Sequence, residues 1–188
     1  MMRITAFLSL LLTANFVMAQ NYNMDTSKSG VTWSGAKITG DSHSGTLQFQ
    51  SGAIQFTDGI PSGGEFVVDM TSMVCTDLSE DYGKKLIGHL MSDDFFSVAS
   101  HPTANLRITG AKAAENGAFD VDAQLTIKGI THPARFKLVS NNGNWKASLT
   151  FDRAKYDVRF GSGSFFENLG DKLILDEITL DTELVFGE

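Results

Sequence analysis

Residues 118–140 read AFDVDAQLTIKGITHPARFKLVS, and this stretch indicates the fold class. From Phe119 to Ile127, apolar side chains alternate with Asp, Gln and Thr, which is the period of a β-strand with one buried face. The Lys128-Gly129 pair signals a tight turn, and a second strand-like run follows over residues 131–140. The short connection predicts an antiparallel hairpin, because a parallel crossover needs a dozen or more residues.

The same alternation recurs along most of the chain, and Gly-, Asn- and Asp-rich turns separate the runs. Such a pattern predicts an all-β fold, with antiparallel strands closed into a barrel or stacked as a sandwich. An eight-stranded barrel is just wide enough to be filled by side chains or to hold one small ligand. The predicted strands lie near residues 30–39, 44–57, 64–72, 103–111, 118–128, 131–140, 144–152 and 174–187.

A short helical segment is predicted between the third and fourth strands. Leu86, Ile87 and Leu90 form an apolar stripe there. Asp77 stands three residues before Glu80, which is an acidic version of a capping box at a helix start. We expect this segment to cover one opening of the barrel.

Composition excludes several classes of protein. The 188 residues carry a formal net charge of −7, whereas a general nucleic-acid binder needs a basic face. The single cysteine, Cys75, excludes a disulfide scaffold and a Cys-cluster metal site. Fourteen Phe in a chain that is 42% hydrophobic supply enough apolar material for a full-sized core.

The first 19 residues have the pattern of a secretory signal peptide. Arg3 supplies the positive start, residues 6–12 the apolar centre, and residues 17–19 a small-residue cleavage pattern. The apolar centre is shorter than the ~20 residues of a membrane helix. We therefore expect a single mature domain over residues 20–188, periplasmic or secreted, without a stable membrane anchor.

No motif amounts to a catalytic or metal-binding signature. The Gly161-Ser162-Gly163-Ser164 run lacks the lysine of a phosphate loop, so we interpret it as a flexible loop. Asp152-Arg153 is interpreted as a structural ion pair at a strand end, with a polar ligand contact as the alternative. No histidine is paired at the i,i+2 or i,i+4 spacing of metal sites; the four are His43, His89, His101 and His132.

Several longer motifs occur in a recognisable order. Residues 40–47 read GDSHSGTL and residues 88–98 read GHLMSDDFFSV, followed by HPTA at 101–104. Residues 125–133 read LTIKGITHP and residues 151–158 read FDRAKYDV. Over most of residues 22–187, the chain resembles the YceI-like lipid/polyisoprenoid-binding proteins. Two departures are Ser97, where Asp is usual, and Lys128, where His is frequent.

The resemblance implies a lipocalin-like eight-stranded antiparallel barrel that is exported, often dimeric and not catalytic. It also implies an isoprenoid or fatty-acyl lipid in the apolar interior, with no other cofactor and no metal. Phe95 and Phe96 would close one end, and His43, His89 and Arg153 are candidate contacts for a headgroup. The expected tunnel residues are Phe49, Phe66, Val68, Met70, Leu106, Ile108, Phe119, Val121, Leu125, Phe136, Leu149, Phe151 and Leu180.

Two alternatives stay open. An enzyme acting on a lipid-like molecule would use polar residues beside the Phe pair, namely His89 and Asp94. A barrel filled by its own Phe side chains would instead serve as a stress or interaction protein, and a continuous tunnel would be missing from its interior.

Overall fold

The computed structural model describes residues 19–141 and 143–187, so the expected signal peptide lies, except for Ala19, outside the described residues. The described residues form ten strands and one α-helix, α1, over Glu80–Met91. The strands are β1 Ala19–Met24, β2 Gly30–Lys37, β3 Ser42–Thr57, β4 Ile60–Cys75, β5 Thr103–Ala113, β6 Ala118–Ile127, β7 Ile130–Asn141, β8 Asn144–Asp152, β9 Ile174–Leu184 and β10 Phe186–Gly187.

Eight of these strands close into an antiparallel barrel, which confirms the predicted fold class. Their order is β3-β2-β9-β8-β7-β6-β5-β4, and β4 pairs back onto β3. The quoted hairpin forms β6 and β7, with Ile127 opposite Ile130 and Phe119 opposite Leu138. Lys128 and Gly129 both have positive φ, at 51° and 74°, as a two-residue hairpin turn requires.

Strands β1 and β10 extend the barrel wall beyond β2 and β9. β1 pairs with the second half of β3, while β2 pairs with the first half, and β10 pairs with β1. The connection between β1 and β2 lies beside the connection between β9 and β10. The Asp25 N–H donates to the Val185 carbonyl at 2.8 Å, and the Val185 N–H donates to Ser29 Oγ at 2.9 Å. The sequence did not predict β1, because its first residues are polar and mostly exposed.

The predicted helical segment is confirmed as α1, although its start differs. Ser79 occupies the N-cap position without a side-chain cap, so the capping-box interpretation of Asp77 is wrong. A Cβ added to Gly83 would lie 3.5 Å from the Cβ of Cys75, so the helix packs closely on the end of β4. Among the described residues, no helix is long and apolar enough to cross a membrane.

The two ends of the barrel are closed differently. The end formed by Lys37, Cys75 and Asp152 carries α1, the turns over 92–102 and the segment 153–173. At the opposite end the ring of Phe56 lies 5.6 Å from that of Trp145 and 6.4 Å from that of Phe119. The end opposite α1 is therefore closed by large aromatic side chains from the strands themselves.

Candidate functional site

The barrel interior contains a cavity of about 170 Å³. Its wall consists almost entirely of apolar side chains from the inward rows of the strands, because alternate residues of a strand point to the same face. The cavity wall includes eleven of the thirteen expected tunnel residues, namely Phe49, Phe66, Val68, Met70, Leu106, Ile108, Leu125, Phe136, Leu149, Phe151 and Leu180.

Phe119 and Val121 differ from that expectation, because they lie outside the cavity wall. Val121 is buried in the packed core, with 1% of its surface exposed. The ring of Phe119 lies 6.0 Å from that of Trp145, within the aromatic cluster at the end of the barrel opposite α1. Phe119 therefore helps to close that end of the barrel, Val121 is part of the packed core, and neither residue lines the cavity.

Phe95 and Phe96 line the cavity from the helical end. Both are buried, and their rings meet edge to face with centroids 5.0 Å apart. The Phe96 N–H donates to the Leu90 carbonyl at 3.1 Å, which folds this turn back onto α1. The two rings thus form the inner surface of a lid.

Arg153 holds the segment 153–173, which lies at the same end of the barrel and completes the lid. Its side chain is completely buried, and Nη1 donates to the carbonyls of Val158 and Phe160 at 3.0 and 2.9 Å. Nε donates to the Leu175 carbonyl at 3.2 Å, and Nη2 donates to the Ile174 carbonyl at 3.1 Å. The guanidinium therefore joins both ends of the segment between β8 and β9.

Asp176 supplies the opposite charge for Arg153. Its Oδ1 lies 3.3 Å from Arg153 Nη2, whereas Asp152 accepts a hydrogen bond from the Ala154 N–H at 2.9 Å. The expected Asp152–Arg153 contact is thus replaced by one with Asp176. Burial lowers the pKa of Arg153, and Asp176 and Asp152 oppose that change, so the guanidinium stays charged. Because protein atoms occupy its donors, Arg153 is a structural clasp and not a free headgroup contact.

The serine-containing loop is tied to the same carboxylate. Ser162 is completely buried, and its Oγ donates to Asp176 Oδ2 at 2.9 Å. The Oγ of Ser164 donates to the same oxygen at 2.7 Å. The interpretation of residues 161–164 as a flexible loop is therefore wrong, since two hydroxyls anchor them to β9.

His89 lies beside the lid but outside the cavity wall. Its ring centroid is 4.4 Å from that of Phe160 and 5.8 Å from that of Phe95. The described residues show no hydrogen bond between His89 and Asp94, and Asp94 is exposed to solvent. The structure therefore does not join His89 and Asp94 in a hydrogen-bonded pair.

His43 lies at the rim, also away from the cavity wall. Its Nδ1 is 3.1 Å from Asp77 Oδ2, and Asp77 Oδ1 accepts a hydrogen bond from Cys75 Sγ at 3.0 Å. Burial and then Asp77 raise the pKa of the Cys75 thiol, while bonds from Cys75 and His43 lower the pKa of Asp77. The thiol therefore keeps its proton at neutral pH and is a poor nucleophile. In the described part of the chain, no group of three or more His, Cys, Asp or Glu is arranged to hold a metal ion.

Trp33 is a cavity residue that the sequence did not single out. It faces Gly45 across the β2–β3 pair. A Cβ on Gly45 would lie 2.6 Å from Trp33 Cζ2 and 1.8 Å from the Val74 carbonyl oxygen. Glycine is therefore required at position 45. In the sequence, a tryptophan in one predicted strand and a glycine near the start of the next are the pattern that could have indicated this packing.

Comparison with known proteins agrees with this architecture. A UPF0312 protein of Azotobacter vinelandii is 30% identical over 89 residues, which are 47% of this chain and only 44% of the relative. A UPF0312 protein of Pseudomonas putida is 27% identical over 152 residues, covering 79% of this chain and 76% of the relative.

A solved structure shows the same fold. It is a polyisoprenoid-binding domain from Saccharophagus degradans, implicated in plant cell wall breakdown, with a TM-score of 0.58 and 17% identity. The match covers 88% of this chain and 97% of that one. The sequence profile of the YceI-like domain matches residues 22–186. Since that match spans most of the sequence, the chain belongs to the YceI-like domain family.

Proposed function

We propose that the protein is an exported, non-catalytic carrier that holds the apolar tail of an isoprenoid or fatty-acyl amphiphile inside the barrel. The observation that carries the proposal is the cavity with its apolar wall. The fold shared with a polyisoprenoid-binding domain supports the ligand class, and the signal-like residues 1–19 support a periplasmic or secreted location. The homodimer implied by the family resemblance stays a prediction.

The size of the cavity limits how a tail is held. An apolar cavity of ~150 Å³ takes up benzene, so a cavity of about 170 Å³ accommodates a segment of about six carbons. At ~0.8 kcal/mol per buried methylene, six carbons contribute roughly 5 kcal/mol, which corresponds to millimolar or slightly tighter binding before ordering costs. Fifteen carbons offer roughly 12 kcal/mol on the same scale.

Tight binding of a long tail therefore requires a larger cavity than the one in this structure. The lid formed by Phe95 and Phe96 is the natural place for that enlargement, because both rings belong to the cavity wall, whereas Phe56, Phe119 and Trp145 at the other end do not. We propose that these two rings move aside as the tail enters and close behind it.

Gly35 offers a direct test of binding inside the barrel. It belongs to the cavity wall, and a Cβ placed on it meets no atom within 4 Å. Gly35→Phe thus fills the cavity without a backbone clash. Thr32→Phe adds the same ring at an exposed position of the same strand and is the matched control.

The experiment measures uptake of farnesol and hexadecanoic acid by native mass spectrometry and by competition with a fluorescent fatty acid. Lipids extracted from protein purified from its own host are identified in parallel. Wild-type protein and Thr32→Phe are expected to bind, and Gly35→Phe to bind at least tenfold more weakly. Equal binding by all three proteins would place the ligand elsewhere, and no binding by any would refute the carrier function.

A further inference from the structure

Among the described residues, the cavity wall contains one buried side-chain donor without a hydrogen-bond partner. Within residues 19–141 and 143–187, three buried side-chain atoms lack a hydrogen-bond partner: Trp33 Nε1, His89 Nε2 and Asp176 Oδ1. Asp176 Oδ1 lies beside the Arg153 guanidinium, and His89 is outside the cavity wall. Trp33 belongs to the wall and is 92% buried, since only 8% of its surface is exposed.

An unpaired buried N–H is costly and uncommon. The large majority of buried side-chain polar atoms in proteins have a hydrogen-bond partner, because burying a donor without one carries its full desolvation penalty. Phe would supply a similar apolar ring at position 33 without this cost. Among the described residues, the indole N–H of Trp33 therefore makes no hydrogen bond, which leaves it free to donate to a bound molecule.

Water is a poor candidate for the acceptor of this N–H. A buried water molecule needs two to four polar partners, and the other polar residues of the cavity wall are Asn105, Arg153 and Thr182. The Thr182 hydroxyl donates to the Ala147 carbonyl at 3.2 Å, and Arg153 is occupied by carbonyls and Asp176. Asn105 is in register with Val67 and Thr126, on the outward row of its strand.

We propose that Trp33 Nε1 donates a hydrogen bond to an oxygen atom of the ligand inside the barrel. This inference rests on the proposed carrier function and narrows its ligand class. The bound molecule is an oxygen-bearing lipid whose hydroxyl, carbonyl or ether oxygen reaches the middle of β2, and it is not a bare hydrocarbon. Selectivity for that oxygen thus resides among apolar residues within the barrel and not at the rim beside His43.

The test compares farnesol with β-farnesene, a hydrocarbon of the same carbon number without the hydroxyl group. Binding is measured for wild-type protein, Trp33→Phe and Trp145→Phe. Trp145, outside the cavity wall, is the other tryptophan of the chain and the matched control. In ¹⁵N-labelled protein the two indole N–H signals report directly on hydrogen bonding.

Wild-type protein and Trp145→Phe are expected to bind farnesol about tenfold more tightly than farnesene, which corresponds to ~1.4 kcal/mol. The Trp33 indole proton is expected further downfield in the farnesol complex than in the farnesene complex. Trp33→Phe is expected to lose the preference while still binding farnesene. Should that variant fail to fold, the indole shift in wild-type protein decides.

Equal affinities for the two probes, or a Trp33 signal that does not distinguish them, would overturn the inference while leaving the carrier function intact. A preference that survives in Trp33→Phe would also overturn it. If neither probe binds, the carrier function fails and the inference fails with it.

Discussion

Replacing Arg153 by Met is expected to destabilise the lid end of the barrel strongly. Met keeps most of the aliphatic volume but removes the charge and every donor. The change leaves four carbonyl oxygens without their donor, among them those of Val158 and Leu175. It also leaves the Asp176 carboxylate without its cation.

The magnitude follows from that loss. Removing one partner of a buried ion pair costs about 3–5 kcal/mol, because the remaining charged group loses its counter-ion. Each carbonyl left without a donor costs a further 1–3 kcal/mol at most, roughly, while it stays buried. Water that enters the opened lid donates to these carbonyls and offsets part of that cost. We expect a loss of about 3–5 kcal/mol, a large share of the ~5–15 kcal/mol stability of a typical domain.

Urea unfolding followed by circular dichroism measures the loss, and Arg135→Met is the matched control. Arg135 pairs with Asp122 at 2.7 Å, but its side chain is 86% exposed, so its removal is expected to cost no more than about 1 kcal/mol. Hydrogen exchange should show the extra opening of Arg153→Met within residues 157–175, and bound lipid should leave faster. Similar stabilities for the two variants would refute the clasp interpretation of Arg153.

Three further outcomes are expected. Gly45→Ala should lose roughly 1–3 kcal/mol in urea unfolding through overpacking, whereas Gly30→Ala, whose added Cβ meets no atom within 4 Å, should change stability little. Burial raises the pKa of Tyr156 to about 12, so above pH 10 the unfolded state loses this proton first and stability should fall between pH 10 and 12; a Tyr156→Phe variant that keeps the same decline would contradict this. Asp77→Asn should speed iodoacetamide alkylation of Cys75 at pH 8, because Asp77 helps to raise the pKa of that thiol, and an unchanged rate would count against the contact.

The prediction of β-strands succeeded where the polarity of each residue matches the face of the strand on which it lies. The alternation from Phe119 to Ile127 gave β6 correctly, because a strand with one buried face must place apolar side chains at every second position. It failed at β1, since the polar residues 20–23 join the sheet through backbone hydrogen bonds that leave no apolar pattern.

Two polar residues in the inward row of β9 illustrate what pairing adds. Asp176 and Thr182 interrupt the apolar alternation of that strand. In the structure Asp176 faces Arg153, and the Thr182 hydroxyl donates to the Ala147 carbonyl. Each polar side chain is tolerated in the inward row because a residue from a distant part of the chain supplies its partner.

The sequence alone determined that the chain is an antiparallel β protein with an apolar inward face, because strand period and turn chemistry are local properties. It also placed eleven of the cavity residues on that face. Three features became visible in the folded molecule alone: Phe119 closes the barrel, Arg153 fastens the lid, and Trp33 holds an unpaired donor in the cavity wall. Those properties depend on distances between strands that are far apart in sequence and on how completely large side chains fill the interior, which no local pattern records.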